Sequence, residues 1–236
     1  MHFLDLTLPT AEENLALDEA LLLEAEDGLG GEVLRLWEWP RLAVVLGNGG
    51  KIADDVDDDA CATAGVPVLR RSSGGGTVLL GPGCLCFSIV LAFARDSVLE
   101  DLHGSYAYIL RRVMDALPTP GVELAGICDL TLGGQKFSGN AQQRKRYHLL
   151  HHGTILHGFD LTRVGHYLRE PPRRPDYRGS REHDVFLRNV DLSRDDLGAA
   201  LRKAWGPVTA MAEWPRDRVR RLVEERYSLS AWNRRR

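Results

Sequence analysis

The stretch Arg70-Arg71-Ser72-Ser73-Gly74-Gly75-Gly76-Thr77-Val78 is the point from which this chain is best read. Before it, Val66-Pro67-Val68-Leu69 has the character of a short strand. After it, Thr77-Val78-Leu79-Leu80 resumes apolar β character until Gly81-Pro82-Gly83 turns the chain. Three successive glycines lose the most backbone freedom on folding and pair poorly in a sheet. They become useful where main chain must lie close to a ligand and offer bare N–H groups. Two arginines beside such amides suit an anion, either carboxylate or phosphate. A glycine-rich hairpin with two solvated arginines is the simpler alternative.

With 236 residues, 44% of them hydrophobic, the chain can bury a sizeable core, and one domain over residues 1–236 is expected. A net charge of −3 calls for neither nucleic acid nor an anionic membrane as partner. The acidic run Asp54, Asp55, Asp57, Asp58 and Asp59 and the end Arg234-Arg235-Arg236 read as solvated surface. Cys61, Cys84, Cys86 and Cys128 form no CxxC pair and no zinc spacing. Asp5 follows Met1 too closely for a secretory leader, and no apolar run approaches the roughly 20 residues of a membrane span. The expectation is a monomer in a reducing, cytoplasmic setting.

Thr10-Ala11-Glu12-Glu13 is a capping-box pattern that opens a helix over residues 11–26, with Leu15, Asp18 and Leu22 on one face. Asp18 reads either as a partly exposed helix carboxylate or as the buttress of a loop. Residues 32–39 alternate apolar and polar with period two, a half-buried strand. Residues 42–47, beyond Pro40, form a continuous apolar strand, and the two suggest a hairpin. One short helix is expected over 52–64, a central strand over 86–93 and a longer helix over 99–117. Residues 129–132 are strand-like, Gly133-Gly134 is a tight hairpin turn, and Lys136-Phe137-Ser138 is a return strand ending at Gly139, with Lys136 on its edge. His151-His152 opens a further strand. Neighbours on a strand face opposite sides, so the two histidines cannot share one metal, and no metal site is expected. A proline-rich loop over 171–178, a helix from Ser193 to Trp205 and a last helix over 215–226 complete the chain. This order predicts an α+β fold, a mixed and largely antiparallel sheet flanked by helices.

Four stretches together resemble the lipoate–protein ligase A family, within the wider biotin/lipoate A/B ligase group. Asn14-Leu15-Ala16-Leu17-Asp18-Glu19-Ala20-Leu21 resembles its first helix, and residues 70–78 its RRxSGGGxV turn. Residues 129–142 resemble its DLxxxGxKxSGxAQ lysine loop, and His151-His152-Gly153-Thr154-Ile155-Leu156 its HHGTLL strand. Order and spacing match up to about residue 160. The resemblance implies the class II synthetase-like catalytic domain of that group. It implies that lipoate or octanoate is activated with ATP and Mg2+ as an acyl-adenylate, and that the acyl group then passes to a lysine of a carrier. The carriers implied are lipoyl domains of 2-oxoacid dehydrogenase complexes or glycine cleavage H protein-like proteins.

By the same match, Lys136 is the catalytic residue, its compact cation facing the acyl carbonyl and the α-phosphate. The residues implied to hold the acyl-adenylate are Arg70, Arg71, Ser73, Gly74, Gly75, Gly76, Thr77, Asp129, Ser138, Gly139, Asn140, Ala141, His152, Gly153 and Thr154. Asp129 would fix the loop or a metal near ATP, or else simply flank a turn. His152 would wall the acyl chain or be a satisfied core histidine. Val78 and Ile155 are expected to line the acyl pocket, and the arginines between Arg173 and Arg181 to meet an acidic carrier.

Two departures stand out. Leu80-Gly81 occupies the place of a His-Asp pair common in the family, and no room follows for a C-terminal accessory domain. A separate accessory polypeptide, or acyl groups already activated, would answer the second. A competing reading is a cysteine-dependent octanoyl or lipoyl transferase working through an acyl-thioester, with Cys128 as nucleophile. A non-catalytic acyl-binding module is the third. Biotin ligation is disfavoured because no GRGRxG-type turn is present.

Overall fold

In this computed structural model, which describes residues 1–171 and 174–236, strand β1 (His2–Asp5) leads into helix α1 (Ala11–Glu26). The Thr10 side chain accepts from the Glu13 N–H while Glu13 reaches back to the Thr10 backbone, so the capping box forms as its residues predict. Strands β2 (Val33–Glu38) and β3 (Ala43–Leu46) follow, then the short helices α2 (Ile52–Asp55) and α3 (Asp58–Ala64). Strands β4 (Val68–Arg70), β5 (Val78–Leu80) and β6 (Cys84–Ala92) bring the chain to helix α4 (Leu102–Ala116). Strands β7 (Val122–Ala125), β8 (Asp129–Leu132), β9 (Gln135–Arg144) and β10 (His148–Leu156) form a meander. Helices α5 (Val164–Tyr167), α6 (His183–Phe186) and α7 (Arg194–Ala204), strand β11 (Thr209–Ala210), and helices α8 (Arg216–Leu222) and α9 (Ser230–Asn233) complete the order.

The architecture is the expected α+β. One eight-stranded sheet runs β11-β1-β2-β6-β10-β9-β8-β7, antiparallel except where β1 meets β2 and β11. A second sheet of three strands runs β4-β3-β5. Two separate cores cover the two faces of the large sheet. Helices α1 and α8 and the small sheet pack on one, α4 and α7 on the other.

Being covered on both sides explains why β2 is not the half-buried strand its alternation suggests. Leu34 and Leu36 enter the α4–α7 core, while Val33 and Trp37 enter the other. The polar residue between them, Arg35, is buried with Asp18 meeting it at 2.5 Å and with Asn14 and Leu6 accepting from its two terminal nitrogens. Asp18 is therefore a buried partner rather than an exposed helix carboxylate. The expected β2–β3 hairpin is also absent: β2 pairs with β1 and β6, whereas β3 founds the small sheet. The helix expected over 52–64 is broken at Val56, whose extended backbone lets Asp57 cap α3 separately.

Strand β9 does not end at Gly139 but continues to Arg144, in the interior of the sheet. Gly133 and Gly134, both at positive φ, make the tight β8–β9 turn. Beyond it the register slips: Thr131 lies opposite Lys136, but Leu130 lies opposite Ser138, leaving Phe137 as an extra residue. A bulge of this kind turns a side chain to the other face. Strict alternation would place Lys136 with Ser138 and Asn140; the bulge places it with Asp129 and Gly139.

Candidate active site

Lys136 Nζ meets Asp129 Oδ1 at 2.8 Å, and the Tyr177 hydroxyl donates to Asp129 Oδ2 at 2.7 Å. Gly139 makes this possible, since a Cβ there would lie 2.7 Å from Nζ. The loop is pinned from outside as well: the Arg188 N–H donates to the Lys136 carbonyl and Leu187 bridges to Lys136. Burial, and then the Asp129 charge, push the Tyr177 phenol well above its ordinary value, so it stays a donor.

The glycine turn joins β4 to β5, two strands that flank β3 on opposite sides, so it crosses the end of β3 and is no hairpin. It is pressed from both sides. A Cβ on Gly47 would lie 2.1 Å from the Gly75 carbonyl oxygen, and Gly75, at φ +85°, abuts Ala141 of β9. The lysine loop and the glycine turn are thereby neighbours. The Arg71 guanidinium lies beneath the turn and donates to Ser73 Oγ and to the carbonyls of Val45, Gly74 and Gly76. Burial pushes it down to about 10.

Arg70 departs from the expectation of an anion contact. Its side chain is fully buried and donates to the carbonyls of Gly47, Asn48, Gly50, Trp232 and Asn233. Asn233 Oδ1 also accepts the Arg70 N–H, and the Trp232 indole donates to the Arg70 carbonyl. Arg70 thus binds the C-terminal segment to the glycine turn, and its donors are committed to main chain. The final arginines are exposed, as expected, and two of them reach the same seam, Arg234 pairing with Asp58 and Arg235 with Asn48.

His151 and His152 face opposite sides, as adjacent strand residues must. His151 is buried between Phe87 and Tyr106, and burial, then the charge of His152, push it down to about 3. His152 faces the site, with Nε2 2.6 Å from Ser73 Oγ and Nδ1 3.5 Å from Asp18 Oδ2. Burial alone would raise Asp18, but Arg35 and His152 outweigh it and hold the carboxyl below its ordinary value.

Between these groups lies a cavity of roughly 800 Å3. Arg71, Gly75, Gly76, Thr77, Val78, Asp129, Lys136, Gly139, Ala141, His152, Gly153 and Thr154 all border it. Ser138 and Asn140 border it too, but their side chains bond elsewhere, Asn140 donating to the Cys128 carbonyl and to Ser138 Oγ. Arg70, Ser73 and Gly74 stand behind its wall. Ile155, expected in the acyl pocket, points to the opposite core with Phe87 and Leu130. The alternation that separates the two histidines also separates Ile155 from Thr154 and Leu156, which do line the cavity. More of the apolar wall comes from Leu15, Trp37, Val45, Leu79, Phe159 and Leu168, none of them expected in the pocket from sequence. Trp37 could have been found by its shared parity with Arg35 on β2.

The outer wall includes Pro175, Tyr177, Arg178, Phe186 and Leu187. The arginines expected to meet a carrier are braces in this segment. Arg174 and Arg178 pair with Glu170, and Arg181 donates to the carbonyls of Gly134, Tyr177 and Arg178; Arg173 lies outside the described residues. All four cysteines are free. Cys128 borders the cavity, and burial, followed by the Asp129 charge, raises its thiol above the ordinary value. Cys86, also on the wall, is raised further for the same first reason. Among the described residues, no group of three or more metal-ligating side chains exists, and no helix is long and apolar enough to cross a membrane.

Lys136 and the turn glycines Gly75 and Gly76 border one largely apolar cavity beside this sheet, the frame of a candidate active site. Residues 10–191 match the lipoyl protein ligase A/B catalytic domain, and the chain belongs to that family. Octanoyltransferase LipM of Carboxydothermus hydrogenoformans is 33% identical over 186 residues, which cover 71% of this chain and 69% of that protein. The probable lipoate-protein ligase A of Mycoplasma pneumoniae is 34% identical over 161 residues, covering 66% of this chain and 45% of that one. The same fold occurs in the bi-partite lipoate protein ligase of Thermoplasma acidophilum, studied with its E2 lipoyl domain. It superposes with a TM-score of 0.83 at 23% identity, over 99% of this chain and 95% of that one. With both ligases and transferases as relatives, the chain is an enzyme of this group, and the reading as a non-catalytic module falls away.

Proposed function

We propose that this chain attaches a lipoyl or octanoyl group to a lysine of a lipoyl carrier domain, after activating the free acid with ATP as an acyl-adenylate. One observation carries the choice of route. The Lys136 ammonium shares its cavity with Gly75 and Gly76, while the thiol beside it, Cys128, is held protonated. Bare amides suit the carboxylate and the α-phosphate, and a fixed cation stabilises charge developing on the carbonyl oxygen and the leaving phosphate. The hydrocarbon tail fits the wall made by Leu15, Trp37 and Val78. With Asp129 committed to Lys136 and Tyr177, magnesium would arrive with the nucleotide, held mainly by phosphates and water.

The transferase route is the second reading, favoured by the similarity to an octanoyltransferase. It needs a thiolate, and burial and the Asp129 carboxylate both oppose one at Cys128. Lipoyl domains of 2-oxoacid dehydrogenase complexes or H protein-like carriers are the acceptors proposed. The test is incubation of the purified chain with ATP, magnesium and lipoate or octanoate, with mass spectrometry for acyl-AMP and for the acylated carrier. Acyl-AMP is the expected product. Transfer from an octanoylated carrier without ATP, abolished in Cys128→Ser, would overturn the ligase reading in favour of the transferase.

A further inference from the structure

Lys136 stands in a hazardous place for a primary amine. The proposed reaction, on which this inference rests, holds an activated acyl carbonyl against it. A neutral Lys136 would itself be the acceptor. Its Nζ lone pair would form a bond to the carbonyl carbon, and the bond from that carbon to the phosphate oxygen would break. AMP would leave with the electron pair, and the surplus amine proton would pass to water. The product is a dead-end amide on the enzyme. Among the described residues, Lys136 is the only lysine bordering the cavity, so the hazard concentrates on one side chain.

An ammonium has no lone pair and cannot attack. Asp129 Oδ1 lies 2.8 Å from Nζ, both side chains are largely withdrawn from solvent, and such a charge-assisted contact occupies the nitrogen with a fixed partner. Asp129 is itself fixed, because the Tyr177 hydroxyl takes its other oxygen at 2.7 Å. The missing Cβ of Gly139 lets the lysine fold back onto that carboxylate. Three separate features of the loop thus converge on how one nitrogen is held. We infer that Asp129, positioned by Tyr177, protects Lys136 from acylation by the enzyme's own activated intermediate, so that the carrier's lysine is the acceptor. Asp129 is in this sense a positioning residue that separates the catalytic cation from the acceptor amine.

The test uses the full chain, without carrier, given chemically prepared octanoyl-AMP. Intact mass and peptide mapping then read whether Lys136 is acylated. In Asp129→Asn, which keeps the shape and a partner for Tyr177, we expect a single octanoyl group on Lys136. Wild type is expected to stay unmodified, and Tyr177→Phe to fall between. An Asp129→Asn, Lys136→Arg double variant should lose the adduct. A second probe does not depend on the proposed function: acetic anhydride at neutral pH, with the rate of Lys136 acetylation followed by mass spectrometry. That rate is expected to rise at least about tenfold in Asp129→Asn. An Asp129→Asn chain whose Lys136 reacts no faster than wild type with acetic anhydride overturns the inference, whatever the adenylate assay shows. Absence of acyl-AMP from ATP and free acid in wild type, with the acetylation rate raised as expected, overturns the ligase reading alone.

Discussion

His152 Nε2 lies 2.6 Å from Ser73 Oγ, and the same ring turns Nδ1 toward Asp18 Oδ2 at 3.5 Å. Ser73 Oγ also accepts from Arg71 Nε. A parallel tie runs one residue away. Ser72 Oγ donates to Gln143 Oε1, and Gln143 Nε2 reaches Glu19 Oε1. Two adjacent serines of the glycine turn are thereby hitched to two adjacent acids of α1, each through one side chain of the β9–β10 hairpin. His152→Ala would leave Ser73 and Asp18 without this partner. Each keeps its arginine, so the loss is one hydrogen bond apiece, about 0.5–1.5 kcal/mol, which at about 1.4 kcal/mol per tenfold gives roughly a 2- to 12-fold loss in kcat/KM through a loosened turn. Steady-state acylation of the carrier, with Tm measured alongside, is the check. Unchanged kcat/KM would remove the histidine from the support of the turn.

Gly139 and Gly47 separate two ways of losing activity. A Cβ at 139 meets the flexible end of Lys136, which can move aside, so Gly139→Ala should displace the ammonium and leave the fold intact. A Cβ at 47 meets the Gly75 carbonyl at 2.1 Å, and main chain cannot step aside cheaply. Gly47→Ala is expected to lower both activity and stability, the latter by more than about 1 kcal/mol. Urea unfolding and carrier acylation measured together distinguish the two. Equal stability losses in both variants would count against this account of Gly139.

Arg70 offers a direct contrast between a substrate contact and a structural brace. Its guanidinium serves five carbonyls, and lysine's three donors cannot replace that fork. Hydrogen bonds to charged groups contribute about 1.5–3 kcal/mol each, so Arg70→Lys should destabilise the chain by at least about 2 kcal/mol. The expected signature is a lower urea midpoint with little change in the KM for the acyl substrate in the fraction that stays folded. A raised KM at unchanged stability would restore the anion-binding role.

These outcomes also show what one sequence can and cannot disclose. The capping box at Thr10 and the Gly133-Gly134 turn are local, and their residues determine them without reference to the rest of the chain. The neighbourhood of the glycine turn and the lysine loop followed from the motifs that carry the family resemblance. What stayed hidden was long-range. The bulge at Phe137 that aims Lys136 depends on how β8 meets β9, and no residue type announces it. The carbonyl cage around Arg70 is completed by Asn233, more than 160 positions away. Ile155 was a different matter. Its face follows from the same alternation that separates His151 from His152, which is legible in the sequence.

His151 contributes to the pH dependence of stability. Its ring is packed against Phe87 and Tyr106, with Asn140 and Gln142 as hydrogen-bonding neighbours, and burial pushes it down to about 3. An unfolded chain takes up a proton on this histidine at about 6.5. Because the folded value is depressed, the unfolded state binds more protons between the two values, and stability falls as pH drops below about 6.5. At pH 5 the loss from this one group is about 2 kcal/mol, from roughly 1.5 pH units at about 1.4 kcal/mol each. His151→Phe keeps an aromatic ring in the same core and has no such proton to take up. It should be less stable than wild type at pH 7, because Asn140 loses a partner. Its urea midpoint should nonetheless fall less steeply between pH 7 and pH 5. Identical slopes for the two proteins would show that His151 is not the group whose protonation unfolds the chain.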